Sequence, residues 1–144
     1  MSRIGKYRKS INMLLLLGWL MALATTAQAN MRFYSIVQQV CKSYRVPVGL
    51  EQMKLEELES DNPTFHMVLQ SRRNNFEEVM LVGYIASSQA IARTGLGIKT
   101  IMITVTIPKS DNMMLMTTAD VSLVEQLRLG KIKSSEFMRK LQWT

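Results

Sequence analysis

The apolar residues of this chain change their spacing several times, and each change marks an element. Residues 11–24 are almost wholly apolar, with Leu14-Leu15-Leu16-Leu17 at the centre. Beyond them, Phe33, Ile36, Val37 and Val40 recur at helical spacing, which predicts a helix over residues 31–44 ended by Pro47 and Gly49. Residues 51–61 carry Glu51, Glu56, Glu57, Glu59 and Asp61 against Lys54 alone. They read as a partly helical, mobile connection, docked loosely by Leu55 and Leu58 and closed by the turn Asp61-Asn62-Pro63.

Alternation takes over at Thr64. Phe65, Met67 and Leu69 alternate with Thr64, His66, Val68 and Gln70, which predicts a short strand. Asn74 or Asn75 then caps a long helix with Glu77 and Glu78 in its first turn, where the helix dipole favours negative charge. Gly95 and Gly97 stop it. The small residues Gly83, Ser87 and Ala90 on one side would let that helix approach a sheet closely. The clearest strand covers residues 99–107: Ile101, Ile103, Val105 and Ile107 point one way, and Thr100, Met102, Thr104 and Thr106 the other. A hairpin loop at 108–112 leads to a partner strand over 113–118. Asp120 or Ser122 starts a short helix, with Ser122 and Glu125 spaced as a capping box. Gly130 ends it, and Ser134 or Ser135 starts another. Phe137, Met138, Leu141 and Trp143 are expected to pin the C-terminus to the body.

The expected fold class is therefore α+β: a small three-stranded sheet with the long helix on one face, in the order α-β-α-β-β-α-α. The Thr-rich face of the central strand is expected to be exposed or covered by the N-terminal helix. At the level of topology alone, the stretch from Thr64 onward looks like the small modules that recur in ring-forming parts of bacterial secretion machines.

The N-terminus changes the picture more than composition does. Arg3, Lys6, Arg8 and Lys9 precede the apolar run with no acidic residue among them, and Thr25-Thr26-Ala27-Gln28-Ala29 places small residues at −3 and −1 of a cut after Ala29. This order matches a secretory signal peptide over residues 1–29. The apolar run is shorter than the roughly 20 residues that span a bilayer, so no stable transmembrane span is expected after cleavage. Residues 30–63 then form an N-terminal helix and acidic connecting segment, and 64–144 a compact βαββα-type domain. Localisation is expected to be periplasmic or secreted. The leader holds four of the charges behind the formal +7, and the remainder gives no reason to expect nucleic acid.

Candidate chemistry is sparse. One histidine excludes a zinc site of several imidazoles, and the two glycines of Thr94-Gly95-Leu96-Gly97 follow a helix rather than open one, the wrong order for a phosphate loop. Cys41 and His66 are the residue types of a Cys-His hydrolase, but no Asp/Asn-Cys-Ser/Gly surround accompanies Cys41, and a buried apolar role is expected for it. The basic C-terminal residues Arg128, Lys131, Lys133, Arg139 and Lys140 oppose residues 51–61 in sign and are expected to form a solvated charged face.

Methionine is the unusual feature, twelve in all, with Met113, Met114 and Met116 clustered. Met114 and Met116 share a strand face that Met102 could join, and thioethers with His66, or the His66-Met67 pair, are Cu(I) ligand types. Methionine more often fills cores or makes pliable binding surfaces. The expectation is a non-catalytic protein-interaction or structural module without a cofactor. It would be an accessory component of an envelope or secretion assembly that contacts other envelope proteins or itself through Met102, Met113, Met114 and Met116. A Cu(I) carrier is the alternative and a Cys-His hydrolase the second.

Overall fold

The computed structural model of this protein describes residues 3–109 and 111–144. They divide into two units, one ending at Arg32 and one of Phe33–Thr144. Helix α1 covers Arg3–Ser43, and its turns up to Arg32 make the first unit. The helix expected to start at Met31 thus begins far earlier, because no proline interrupts the sequence between Arg3 and Phe33. In the first unit Met13, Leu15, Leu17, Trp19 and Met21 are all exposed. Among the described residues no helix is long and apolar enough to cross a membrane.

The second unit is a five-stranded sheet with helices on one side. Its strands are β1 (Met53–Glu56), β2 (Thr64–Gln70), β3 (Thr100–Ile107), β4 (Met113–Asp120) and β5 (Gln142–Trp143), hydrogen-bonded in that order. Helices α2 (Phe76–Thr94), α3 (Val121–Arg128) and α4 (Ser134–Lys140) follow β2, β4 and α3 respectively. β2 and β3 are parallel, joined through α2, and every other pair is antiparallel.

The class is α+β as expected, but the sheet and the order need correction. Two of its five strands come from segments read otherwise. β1 lies in the acidic segment expected to be helical and mobile. Met53 and Leu55 share the alternation of a strand, and their apolar side joins the core while Lys54 and Glu56 face outward. β5 is a two-residue strand at the C-terminus, too short to produce a pattern. The segment before Thr64 also supplies core: Phe33, Ile36, Val37, Val40 and Cys41 join the same buried cluster as Phe65 and Ile101.

One sheet face makes that core. Phe65, Met67 and Leu69 of β2, Ile101, Ile103 and Val105 of β3, and Thr117 and Ala119 of β4 point into it and are buried. Phe33 meets Phe65 edge-on at 4.8 Å between ring centres. The small face of α2 does what its sequence predicts. A Cβ on Gly83 would lie 2.9 Å from Leu69 Cδ1 and 3.3 Å from Ile103 Cδ1, so the helix backbone rests directly on the sheet. Gly95 ends α2 at φ +70°.

Caps differ in detail from the expected ones. Asn75 is the N-cap of α2, but its Oδ1 accepts from Arg72 N at 2.9 Å rather than capping the helix. Asp120, not Ser122, is the N-cap of α3, so no capping box forms at Ser122. Lys133 precedes α4. At the β3–β4 hairpin Asp111 and Asn112 both take positive φ, which Asp and Asn tolerate better than most residues.

Candidate functional site

Strand alternation places the other sheet face away from the helices. The register sets His66 beside Met102, Val68 beside Thr104, Met102 opposite Thr118, Thr104 opposite Met116 and Thr106 opposite Met114. Residues facing one another across a ladder point the same way, so these side chains share one surface. None of them belongs to the buried apolar cluster. Its middle is ordered by one polar contact: His66 Nε2 and Thr104 Oγ1 lie 3.0 Å apart, and Thr104 is buried. Its rim is charged. Lys54 Nζ lies 2.9 Å from Glu56 Oε1, and this hydrogen bond, together with the lysine's charge, holds the Glu56 carboxyl below its ordinary range.

Three of the four methionines singled out in the sequence, Met102, Met114 and Met116, thus come together on the open face. Met113 does not. It pairs with Ile107, and strand alternation sends it to the helix side, where it stays partly exposed at the end of the sheet. Met67, a possible completion of a copper site, is fully buried in the core behind the sheet. The open face ends in an apolar edge at Met114, which is 61% exposed, whereas Trp143 pairs with Thr117 and so lies on the helix side. Thr144 N donates to Met116 O at 3.0 Å, which turns that carbonyl outward toward β5. By two-residue alternation Met114 directs its backbone groups to the same edge, beyond the reach of β5, which pairs only with Thr117 and Thr118. The opposite edge is closed differently, since Leu55 N on β1 donates to Tyr34 Oη at 3.0 Å.

Cys41 and His66 are not brought together. Cys41 is fully buried in the helix-side core, and burial pushes its thiol up to about 11. The charged C-terminal and acidic segments also do not meet among the described residues. Arg128 pairs with Glu125 and Lys140 with Glu136, each within its own helix or its cap, while Lys54 pairs with Glu56.

A second feature was not legible beforehand. A cleft of about 1060 Å³ lies where β2 and β3 end and α2 begins. Its walls come from three connections: residues 44–49 after α1, 70–75 between β2 and α2, and 107–109 after β3. Val48, Val79, Val82 and Ile107 give it a buried apolar floor, while Arg45, Arg72, Arg73 and Lys109 stand exposed around it. The pair Arg72-Arg73 at a strand-to-helix junction was the one local signal. Arg45 and Lys109 are distant in sequence: the parallel β2–β3 pairing brings Lys109 beside Arg72-Arg73, and the hydrogen bonds of Gln38 and Gln52 bring in the segment that carries Arg45. Comparison with protein-family models, with curated proteins and with solved structures finds no match to this chain.

Proposed function

We propose that this chain is an exported, non-catalytic binding module. It engages a protein partner through its open sheet face and serves as an accessory component of a bacterial envelope or secretion assembly. One observation carries the reading. A sheet with helices on one side leaves Met102, Met114 and Met116 together on the other, among threonines and with charge only at the rim. Flexible thioether side chains fit irregular apolar surfaces, and an uncharged centre with a charged rim is how protein interfaces are built. Export is supported by the basic start, the exposed apolar side chains of the first unit and the small residues before Asn30.

Two measurements test it. N-terminal sequencing of the protein from an envelope fraction should begin at Asn30; a first residue of Met1 or Ser2 would remove the cleaved-leader part. A photo-crosslinking residue at Met114 should give one discrete adduct in native envelopes, and the same residue at Ala92, exposed on α2, should give none. Equal labelling at both would sink the open-face assignment.

A second reading uses the same surface. Met102 lies beside His66 in the ladder, so imidazole and thioether donors are neighbours, a soft set suited to Cu(I). A purified monomer that takes up Cu(I), and loses it on Met102→Ala, would favour this reading.

A further inference from the structure

We propose that the cleft at the ends of β2 and β3 is a second site, distinct from the open face, that binds a small molecule with an anionic phosphate- or carboxylate-type head on an apolar stem. The chemistry follows from its two-part lining. Val48, Val79, Val82 and Ile107 are buried yet border the cavity, so a ligand stem seated on them leaves water. Above them Arg45, Arg72, Arg73 and Lys109 converge from three separate connections, against Glu78 as the one carboxylate on the wall. None of the four cations has an ion pair among the described residues. Charges of one sign around a low-dielectric floor concentrate counter-charge there.

The cavity is held open by contacts a ligand does not have to make. Gln38 Nε2 donates to Val48 O at 3.0 Å, and Gly49 N donates to Gln52 Oε1 at 2.8 Å. Gln52 Nε2 in turn donates to Val68 O at 2.9 Å. These bonds fix the 44–52 wall to α1 and β2. On the other side, Asn75 spends its side-chain oxygen on Arg72 N, which folds the arginine loop and leaves the first turn of α2 without a side-chain cap. The dipole of that helix adds to the cations. The volume is at the upper end of small-molecule sites, which span about 300–1,000 Å³.

The test maps backbone amides of the full chain by NMR during titration with 1-naphthyl phosphate, 1-naphthol, inorganic phosphate and dihexanoyl phosphatidic acid. Shifts should centre on residues 45–49, 72–78 and 107–109. Naphthyl phosphate should bind at least about tenfold more tightly than either naphthol or inorganic phosphate, because only it uses both floor and rim. R72E/R73E should weaken it by about tenfold or more, with added salt doing the same by degrees. Lys131→Glu with Lys133→Glu, a cation pair away from the cleft, should leave binding unchanged. Tighter binding of the phosphatidic acid assigns a lipid head, and tighter binding of naphthyl phosphate a soluble organic anion. Inorganic phosphate binding as tightly as naphthyl phosphate, unchanged affinity in R72E/R73E, or shifts centred elsewhere would each overturn the proposal.

Discussion

Met102 and Ile103 are consecutive residues of β3 in opposite environments. Ile103 is fully buried under α2, where Gly83 clears a path for the helix, while Met102 is half-buried on a surface of threonines beside His66. The same division runs across β4, where Thr117 is buried and Thr118 is not. One face of the sheet carries the buried core, and the other carries no part of it. A sheet face without a helix layer is stable here because its threonines satisfy themselves with local partners. Thr100 Oγ1 donates to Asn62 Oδ1 at 2.8 Å and Thr106 Oγ1 to Leu69 O at 3.3 Å.

The largest effect that sharpens this contrast compares the two neighbours. Ile103→Ala should destabilise by about 2–5 kcal/mol, as large-to-small changes in packed cores do. Met102→Ala should change stability by less than about 1 kcal/mol. Urea melts of both variants measure the difference, and equal losses would mean that the open face is packed against something in the folded chain.

Alkali offers a second way to break the comparison, because Cys41 sits on the helix side. Its thiol is raised to about 11 from an ordinary 9.0 by burial. Below pH 9 the thiol is neutral in both folded and unfolded chains, and it adds no pH dependence. Between pH 9 and 11 the unfolded chain ionises first and so binds fewer protons than the folded one. Stability therefore falls with rising pH, by up to about 2–3 kcal/mol over the window. Burial also raises the Tyr84 hydroxyl, against the opposing effect of its bond to Thr117, which extends the loss to higher pH. Cys41→Ala should flatten the decline between pH 9 and 11, and a thiol reagent should label Cys41 only in denaturant. Rapid labelling of the native chain would show that the helix side is open.

Thr117 and Thr118 give a smaller, cleaner pair. Thr117 Oγ1 lies 2.8 Å from Tyr84 Oη, and the pair is buried beside Phe137. Thr117→Val strands the tyrosine hydroxyl, so it should destabilise by about 1–3 kcal/mol. Tyr84→Phe should cost less, because Thr117 still has Ile103 O at 3.4 Å. Thr118→Val should lie within about 0.5 kcal/mol of wild type, since the β-branched shape suits the strand and no core contact is lost.

How much of this was legible follows the same division. Regular alternation in β2 and β3 and the small face of α2 repeat over many residues, so period alone locates them. β1 was missed because five carboxylates outweigh the two apolar residues that matter, Met53 and Leu55, and strand pairing with β2 overrides local composition. β5 was missed because two residues have no period. Alternation places Met102, Met114 and Met116 on one face, and the same alternation puts Met113, their neighbour in sequence, on the other. The cleft was not legible, because its cations lie on three separate connections that only the parallel crossover and the docking of residues 44–52 on α1 and β2 bring together.

Met114 carries the smallest stability effect and the sharpest functional one. It is the most exposed of the three open-face methionines. Its backbone faces the part of the β4 edge that β5 leaves uncovered. Met114→Lys should therefore change stability in urea melts by no more than about 0.5 kcal/mol, while placing an ammonium group within the proposed contact. A desolvated, unpaired charge in an interface is strongly unfavourable. The crosslinked adduct formed from a probe at Thr118, on the same face, should fall by at least about tenfold in Met114→Lys. The cleft should be untouched, so 1-naphthyl phosphate affinity should stay at the wild-type value. A Met114→Lys chain that folds normally and still crosslinks fully from Thr118 would leave the open face as an ordinary solvated surface. The three methionines would then be fillers of a sheet that needs no partner.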